Sequence, residues 1–136
     1  MGPLVQKFED HGCRDLLLCE RGSCFGYDNQ VVDLLGINVM RQVSGNKPIS
    51  VDITHALQCR GHGETQSGGR RQQALELGKA VVASGIAAIF VEAHPNPDQA
   101  LCDGPSALPS GLIGSFLEQL AAVDQLVKNQ PTLTID

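Results

Sequence analysis

An imidazole and two carboxylates are the side chains of this sequence best suited to chemistry: His55, Glu92 and Asp103. Together they could bind a divalent metal, or hold and protonate a substrate, because both tasks need such groups fixed on rigid elements. The alternative is a buried histidine that is hydrogen-bonded to a carboxylate for packing. The irregular spacing of the three residues favours this alternative slightly, since it matches no regular metal-binding motif.

Arg21, within "CERGSCFGYDN", has the chemistry of an anion-binding residue. Its planar guanidinium can reach an anion while the backbone N–H groups of the following glycine turn approach closely. A surface ion pair with Glu20 or Asp28 is an equally good interpretation of Arg21 in isolation.

"SGGRRQQ", at 67–73, opens a predicted helix, and a helix N-terminus favours phosphate. For Arg70 and Arg71, however, a flexible loop with both side chains in solvent is the stronger interpretation. The five cysteines form no CxxC pair, so we expect reduced thiols that pack, with no structural zinc site and no nucleophile.

These residues need a scaffold, and three short apolar runs at 16–19, 49–53 and 87–92 predict buried strands. Each run is followed by residues with helical spacing, at 31–43, 74–82 and 113–127, and a further helix is expected at 4–11. Asp28 is the expected N-cap of the first post-strand helix, and Ser110 that of the last. Repeated strand–helix units predict an α/β fold with a parallel sheet, either doubly wound or part of a barrel.

The polar candidates follow the strands, and in parallel α/β proteins the carboxyl ends of the strands carry the chemistry. We therefore expect the polar residues after the three strands to converge on one face: Glu20 and Arg21, then Thr54, His55 and Gln58, then Glu92 and His94. The 18-residue stretch 92–109, with prolines at 95, 97 and 105 inside it, is predicted to be an ordered binding loop rather than a disordered one.

Composition excludes several function classes. A net charge of −5 and a pI near 5.2 give no basic footprint for nucleic acid. No apolar run approaches the roughly 20 residues of a membrane span, and the N-terminus does not read as a secretion signal. The sequence therefore predicts a cytoplasmic protein without nucleic-acid or membrane partners.

Several longer stretches, taken together, resemble one family. They are "CERGSCFGYDNQVVDLLG", "DITHALQC", "SGGRRQQ", "FVEAHPNPDQALCDGPSALP" and "AAVDQLVK". In order and spacing they are similar to the C-terminal half of the 3-deoxy-D-manno-octulosonate 8-phosphate synthases (2-dehydro-3-deoxyphosphooctonate aldolases). The resemblance implies a domain over 1–129 that is part of a TIM (β/α)8 barrel, about three strands of it, and a C-terminal tail at 130–136.

The resemblance also implies an activity: an aldol-type transferase of lipopolysaccharide biosynthesis. It would condense phosphoenolpyruvate with D-arabinose 5-phosphate and water, and release phosphate. By motif, Arg21 and Gln58 would bind substrate, with Arg21 on the phosphate of phosphoenolpyruvate. His55, Glu92 and Asp103 would be the catalytic residues, and the complete enzyme would be a homotetramer.

The same resemblance bears on metal. In metal-dependent members His55, Glu92 and Asp103 would be three of four ligands of Zn, Fe or Mn. The motifs "CDGPSALP" and "DITHALQC" look nearer to the metal-independent branch, so we expect no cofactor. The loop from Cys59 to Gly68 would be a mobile cover on the site.

A complete barrel of this type has about 250 residues, whereas this chain supplies three strands. We therefore expect a C-terminal fragment with little or no synthase activity alone. The alternative is a non-catalytic half-barrel that acts by pairing with a separate N-terminal half or with itself. A free-standing metal hydrolase that uses the same His, Glu and Asp is a remote third possibility.

Overall fold

Short strands and longer helices alternate along the chain. The computed structural model describes residues 1–24, 29–59, 67–131 and 133–134. Within these ranges the strands are β1 (Leu18–Glu20), β2 (Ser23–Cys24), β3 (Gln30–Val31), β4 (Ile49–Asp52), β5 (Gln58–Cys59), β6 (Gly68–Gly69), β7 (Ala88–Phe90), β8 (Ala93–His94) and β9 (Leu108–Pro109). The helices are α1 (Gly2–Asp10), α2 (Leu34–Val43), α3 (Ala74–Ala83) and α4 (Ile113–Lys128), with 3-10 turns at His55–Leu57, Arg71–Gln73, Pro97–Gln99 and Ser110–Leu112.

The main sheet is three-stranded, with the order β1-β4-β7 and parallel pairing throughout. Val51 of β4 is in register with Glu20 of β1 on one side and with Ile89 of β7 on the other. The three predicted strands and the mixed α/β class with parallel strands are thus confirmed. Because parallel neighbours are joined through crossover helices, the carboxyl ends of all three strands lie at one edge of the sheet.

Three smaller pairs surround that edge. β2 pairs with β3 and β5 pairs with β6, both antiparallel, while β8 runs parallel to β9. Leu108 N donates to the Glu92 carbonyl over 2.9 Å, which closes the stretch 92–109 at its base. The stretch predicted to be a loop thus contains two short strands and a 3-10 turn, and its role in binding stays a prediction.

The core lies between the sheet and the helices. Every residue of β4 is buried, and Val51 and Ile53 have no exposed surface. Gly78 of α3 lets this helix pack closely, since an added Cβ would lie 3.2 Å from side-chain atoms of both Ile53 and Leu120. Full burial of a valine, leucine or isoleucine side chain, such as those of Val51 and Ile53, stabilises the fold by about 1.5–3 kcal/mol.

The outer strands are less protected. Among the described residues, β1 and β7 are the edges of the main sheet. Cys19 of β1 is exposed, and Phe90 of β7 is 46% exposed, on the sheet face shared with Ser50 and Asp52. One face of the sheet is therefore covered by helices, while the other is partly open.

Two predicted helix starts are corrected. α2 begins at Leu34, and its N-cap is Asp33, whose carboxylate accepts from the backbone N–H groups of Leu35 and Gly36. Asp28, the predicted cap, lies outside the described residues. Ser110 begins a 3-10 turn, and α4 starts only at Ile113 without a side-chain cap.

The last helix, α4, ends at Lys128, and the domain boundary at 129/130 stays a prediction. In the part of the chain that the structure describes, no helix has the length and apolar character needed to cross a bilayer.

Candidate functional site

The predicted site residues lie beyond the carboxyl ends of the three parallel strands. Arg21 directly follows β1, and His55 opens the 3-10 turn after β4. Gln58 is the first residue of β5, Glu92 follows β7, and Asp103 lies in the loop between β8 and β9. The prediction that the residues after the three strands share one edge of the fold is confirmed, and Asp103 lies at the same edge.

Asp52, at the end of β4, holds His55 in place. One carboxylate oxygen, Oδ1, accepts from Thr54 N at 3.1 Å, Thr54 Oγ1 at 3.0 Å and His55 N at 2.8 Å. The other, Oδ2, lies 2.7 Å from His55 Nδ1. Because a carboxylate only accepts hydrogen bonds, Nδ1 carries the proton, and Nε2 is left to face the site.

A row of hydrogen bonds connects the remaining polar residues. Arg21 Nη2 donates to Gln58 Oε1 over 3.2 Å, and Gln58 Nε2 donates to Asp103 Oδ1 over 2.5 Å. The other oxygen of Asp103 lies 3.8 Å from His55 Nε2. A guanidinium, an amide, a carboxylate and an imidazole thus form a continuous polar surface, on which Gln58 is a bridge.

Thr54 links the ends of two strands. Its side chain is fully buried, donates to Asp52 and accepts from the backbone N–H of Glu92 over 2.9 Å. Glu92 is therefore held through its backbone, at a fixed distance from the carboxylate that holds His55. This contact was not predicted from the sequence, which identified Thr54 only as one of the polar residues after the strand.

Metal binding by His55, Glu92 and Asp103 requires all three side chains to meet. Within the described residues, no three His, Cys, Asp or Glu side chains are grouped so that they could hold a metal ion. His55 and Asp103 are adjacent, but the Glu92 carboxylate makes no ion pair or hydrogen bond with either of them. The predicted ligand set is therefore not assembled in this geometry.

Cys102, next to Asp103, is fully exposed and unsuited to nucleophilic attack. The Asp103 side chain, by hydrogen bonding and by its charge, raises the pKa of the Cys102 thiol, and the charge of Glu92 adds to this effect. A raised pKa keeps the thiol protonated, and the thiolate is the nucleophile. The expectation that this cysteine is not a nucleophile agrees with its surroundings.

The two arginines of "SGGRRQQ" contact other parts of the protein instead of extending into solvent. Arg71 Nη2 lies 2.6 Å from the carboxylate of Asp98, and Arg70 Nη2 donates to the Gln30 carbonyl over 3.3 Å. One contact ties the segment before α3 to the 3-10 turn Pro97–Gln99, and the other ties it to β3. The interpretation of both side chains as free in solvent is wrong.

Gln30, in β3, was missed by sequence reasoning. With its amide nitrogen turned toward two carbonyls, the side chain donates to the backbone of Arg21 and of His55, each over 2.9 Å. It thereby fixes the loop after β1 against the turn after β4. No local pattern could have identified Gln30, because its partners are distant in sequence. The predicted cover loop, Cys59 to Gly68, includes 60–66, which lie outside the described residues.

Comparisons with known proteins agree on a family. The model of the DAHP synthetase I family matches residues 2–129. The chain is 56% identical to the 2-dehydro-3-deoxyphosphooctonate aldolase of Synechococcus sp. (strain WH7803) over 135 residues, which are 99% of this chain and 48% of that protein. The aldolase of Vibrio atlanticus (strain LGP32) is 56% identical over 94% of this chain and 45% of its own length.

The similarity extends to a third organism. The protein of the same name from Bdellovibrio bacteriovorus (strain ATCC 15356 / DSM 50701 / NCIMB 9529 / HD100) is 53% identical over 100% of this chain and 47% of its own length. The chain thus spans about half the length of the curated relatives it matches.

Proposed function

The chain belongs to the DAHP synthetase I family, and on that premise we propose that it carries the C-terminal part of a 3-deoxy-8-phosphooctulonate synthase. The enzyme would join phosphoenolpyruvate and D-arabinose 5-phosphate, with water, into 3-deoxy-D-manno-octulosonate 8-phosphate and release phosphate. The observation that carries this proposal is the 56% identity, over 99% of the chain, to a protein named for that activity. The rest of the active site would come from residues outside this chain.

We place β1, β4 and β7 as three consecutive strands of a (β/α)8 barrel. Their order in the sheet follows their order in the chain, and each pair is parallel. Consecutive strands of such barrels are neighbours with right-handed helical crossovers, and functional residues lie at their carboxyl ends. Both features support the barrel assignment, and the open sheet face would be the barrel interior.

Arg21 would bind the phosphate of phosphoenolpyruvate. Its side chain is exposed, and its described partner, the Gln58 amide oxygen, is neutral. A phosphate would be a far stronger acceptor for the guanidinium than an amide oxygen, because both partners are then charged. Gln58 would remain as the connection between the bound anion and Asp103.

His55 and Asp103 would handle protons. When a carbon–carbon bond forms at the aldehyde of arabinose 5-phosphate, the aldehyde oxygen must gain a proton, and the incoming water must lose one. His55 Nε2 and the Asp103 carboxylate lie 3.8 Å apart, so one substrate group that lies against both can exchange protons with either. Glu92 would be the third catalytic residue, held in position through Thr54.

We propose a metal-independent reaction, supported by the finding that His55, Glu92 and Asp103 do not form a group of described residues that could hold a metal ion. The homotetramer and the cytoplasmic location remain predictions for the complete enzyme.

Binding of phosphoenolpyruvate tests the substrate assignment on this chain alone. We expect weak but saturable binding in a 31P NMR titration, weakened by Arg21→Ala about tenfold or more, since a hydrogen bond to a charged group contributes about 1.5–3 kcal/mol. Arg14→Ala is the matched control, because Arg14 lies before β1, at the opposite end of the strand. Equal loss of binding in both variants, or none in either, would contradict the assignment.

A second candidate is a non-catalytic half-barrel that acts by pairing. The observation that favours it is the open sheet face, where Phe90 is 46% exposed. Sedimentation velocity would distinguish the cases. Two results together would favour this candidate. The chain would self-associate even after an N-terminal half is added, and it would not bind phosphoenolpyruvate.

A further inference from the structure

Gly69 lies against the backbone of the loop that carries Asp103. A Cβ built on Gly69 would overlap the carbonyl carbon of Pro105, and it would lie 2.5 Å from the Pro105 oxygen and 2.6 Å from the nitrogen of Ser106. All three atoms belong to the backbone, so no side-chain rotation could relieve the contact. At Gly68, the preceding residue, the nearest atom would lie at 3.7 Å, which is an ordinary contact.

The loop segment that Gly69 touches is rigidly tied to Asp103. The Asp103 carbonyl accepts from Ser106 N at 3.0 Å, Ala107 N at 2.9 Å and Ser106 Oγ at 3.1 Å. Asp103 itself has φ 53°, in the left-handed region. Through these bonds a displacement of Pro105 would be transmitted to the backbone of Asp103 and so to the position of its carboxylate.

The same glycine is in register with Gln58. β5 and β6 pair Gln58 with Gly69, and the Gln58 amide reaches across to Asp103 Oδ1 over 2.5 Å. The ribbon thus contacts the 103–107 turn twice, once through the Gly69 backbone and once through the Gln58 side chain. The close approach at Gly69 therefore determines the distance between Gln58 Nε2 and Asp103 Oδ1.

We propose that Gly69 is a positioning residue for Asp103: the missing side chain lets the β5–β6 ribbon and the 103–107 turn approach closely enough for Gln58 to hold the Asp103 carboxylate. A methyl group at this position would force the turn away by about 1 Å before the contact reached 3.4 Å. Lengthened by that amount, the 2.5 Å bond from Gln58 Nε2 to Asp103 Oδ1 would reach about 3.5 Å, beyond the usual range of such a bond. The role of Asp103 in catalysis rests on the proposed function, whereas this coupling does not.

The test compares Gly69→Ala with the matched control Gly68→Ala, each with and without Asp103→Gly, in the full chain. The readout is the side-chain amide resonance of Gln58 in 1H–15N NMR spectra without ligand. In Asp103→Gly the glycine can adopt the left-handed backbone of this position, and the carboxylate that accepts from Gln58 Nε2 is gone. The spectrum of this variant therefore gives the position of the Gln58 amide resonance without that hydrogen bond. Unfolding transitions confirm that each variant is folded.

In the unmodified chain and in Gly68→Ala, we expect Asp103→Gly to shift the Gln58 resonance clearly. In Gly69→Ala the resonance should already lie near the unbonded position, so that Asp103→Gly adds little. A Gly69→Ala spectrum that keeps the original position and the full response overturns the proposal, and so does an equal loss of response in Gly68→Ala.

Should Gly69→Ala not fold, Ser106→Ala tests the same connection, because it removes one of the bonds that tie the turn to Asp103. A partial shift of the Gln58 resonance supports the proposal, and an unchanged resonance overturns it.

Addition of phosphoenolpyruvate to the unmodified chain is a separate experiment. If the Arg21 and Gln58 signals do not respond, the proposed function fails, while the comparison of the glycine variants is unaffected.

Discussion

Asp52→Ala should destabilise the chain by about 3–5 kcal/mol, since a buried donor without a partner costs about 1–3 kcal/mol. The Asp52 carboxylate is 6% exposed and accepts from Thr54 N, Thr54 Oγ1, His55 N and His55 Nδ1. Thr54 is fully buried, so water cannot replace the lost acceptor for its two donors. The two donors of His55 are closer to solvent and contribute less to the loss.

Asp52→Asn separates stability from protonation. The amide oxygen can keep the role of Oδ1, so we expect a loss of only about 1 kcal/mol, the net value of one ordinary hydrogen bond. The amide nitrogen would then face His55 Nδ1, which must become an acceptor and transfer the proton of the neutral ring to Nε2. Nε2 would thus change from a proton acceptor to a donor toward Asp103.

Two measurements check both parts. Urea unfolding gives the free energy of unfolding, and the loss in Asp52→Ala corresponds to a fall in melting temperature of roughly 10–20 °C. Long-range 1H–15N NMR identifies the protonated ring nitrogen of His55. Asp33→Ala, which removes the exposed N-cap of α2, is the control and should cost about 1 kcal/mol. Equal destabilisation by asparagine and alanine, or a wild-type ring protonated on Nε2, would refute the reasoning.

Two further predictions concern neighbouring residues. Thr54→Val should lower the free energy of unfolding in urea by about 2 kcal/mol, since it removes the hydrogen bonds to Asp52 and to Glu92 N. Thr54→Ser keeps both bonds and should cost less than about 1 kcal/mol. Equal losses in the two variants would contradict the role of the hydroxyl. For Cys102, Asp103 raises the thiol pKa, so the thiolate forms at a higher pH than that of an ordinary thiol. Asp103→Asn should therefore lower this pKa and speed iodoacetamide labelling of Cys102 near pH 8, as followed by peptide mass spectrometry, and an unchanged rate would contradict the cause.

The strands could be predicted because each is a short apolar run between polar segments. Ile49, Val51 and Ile53 identify the central strand without reference to the rest of the chain. The helix starts were less predictable. Asp28, Asp33 and Ser110 all have capping side chains, and the choice among them depends on backbone geometry that the sequence does not display.

The sequence predicts which residues lie at the site, because the order of the parallel strands determines which strand ends meet. Arg21, His55 and Gln58 follow strand ends, and parallel strands bring such residues together. What each side chain contacts depends on partners from distant loops. The bridging of Arg21 and Asp103 by Gln58, and the hydrogen bond from the Glu92 backbone to Thr54, therefore became visible only in the folded structure.

The most direct test of the central claim is a synthase assay that follows phosphate release from phosphoenolpyruvate in the presence of D-arabinose 5-phosphate. The chain is assayed alone and mixed with an N-terminal barrel half from a relative. We predict release only in the mixture, and its loss when the chain carries Arg21→Ala but not Arg14→Ala. No release from a mixture in which the two halves demonstrably associate would contradict the claim that this chain carries half of a synthase active site.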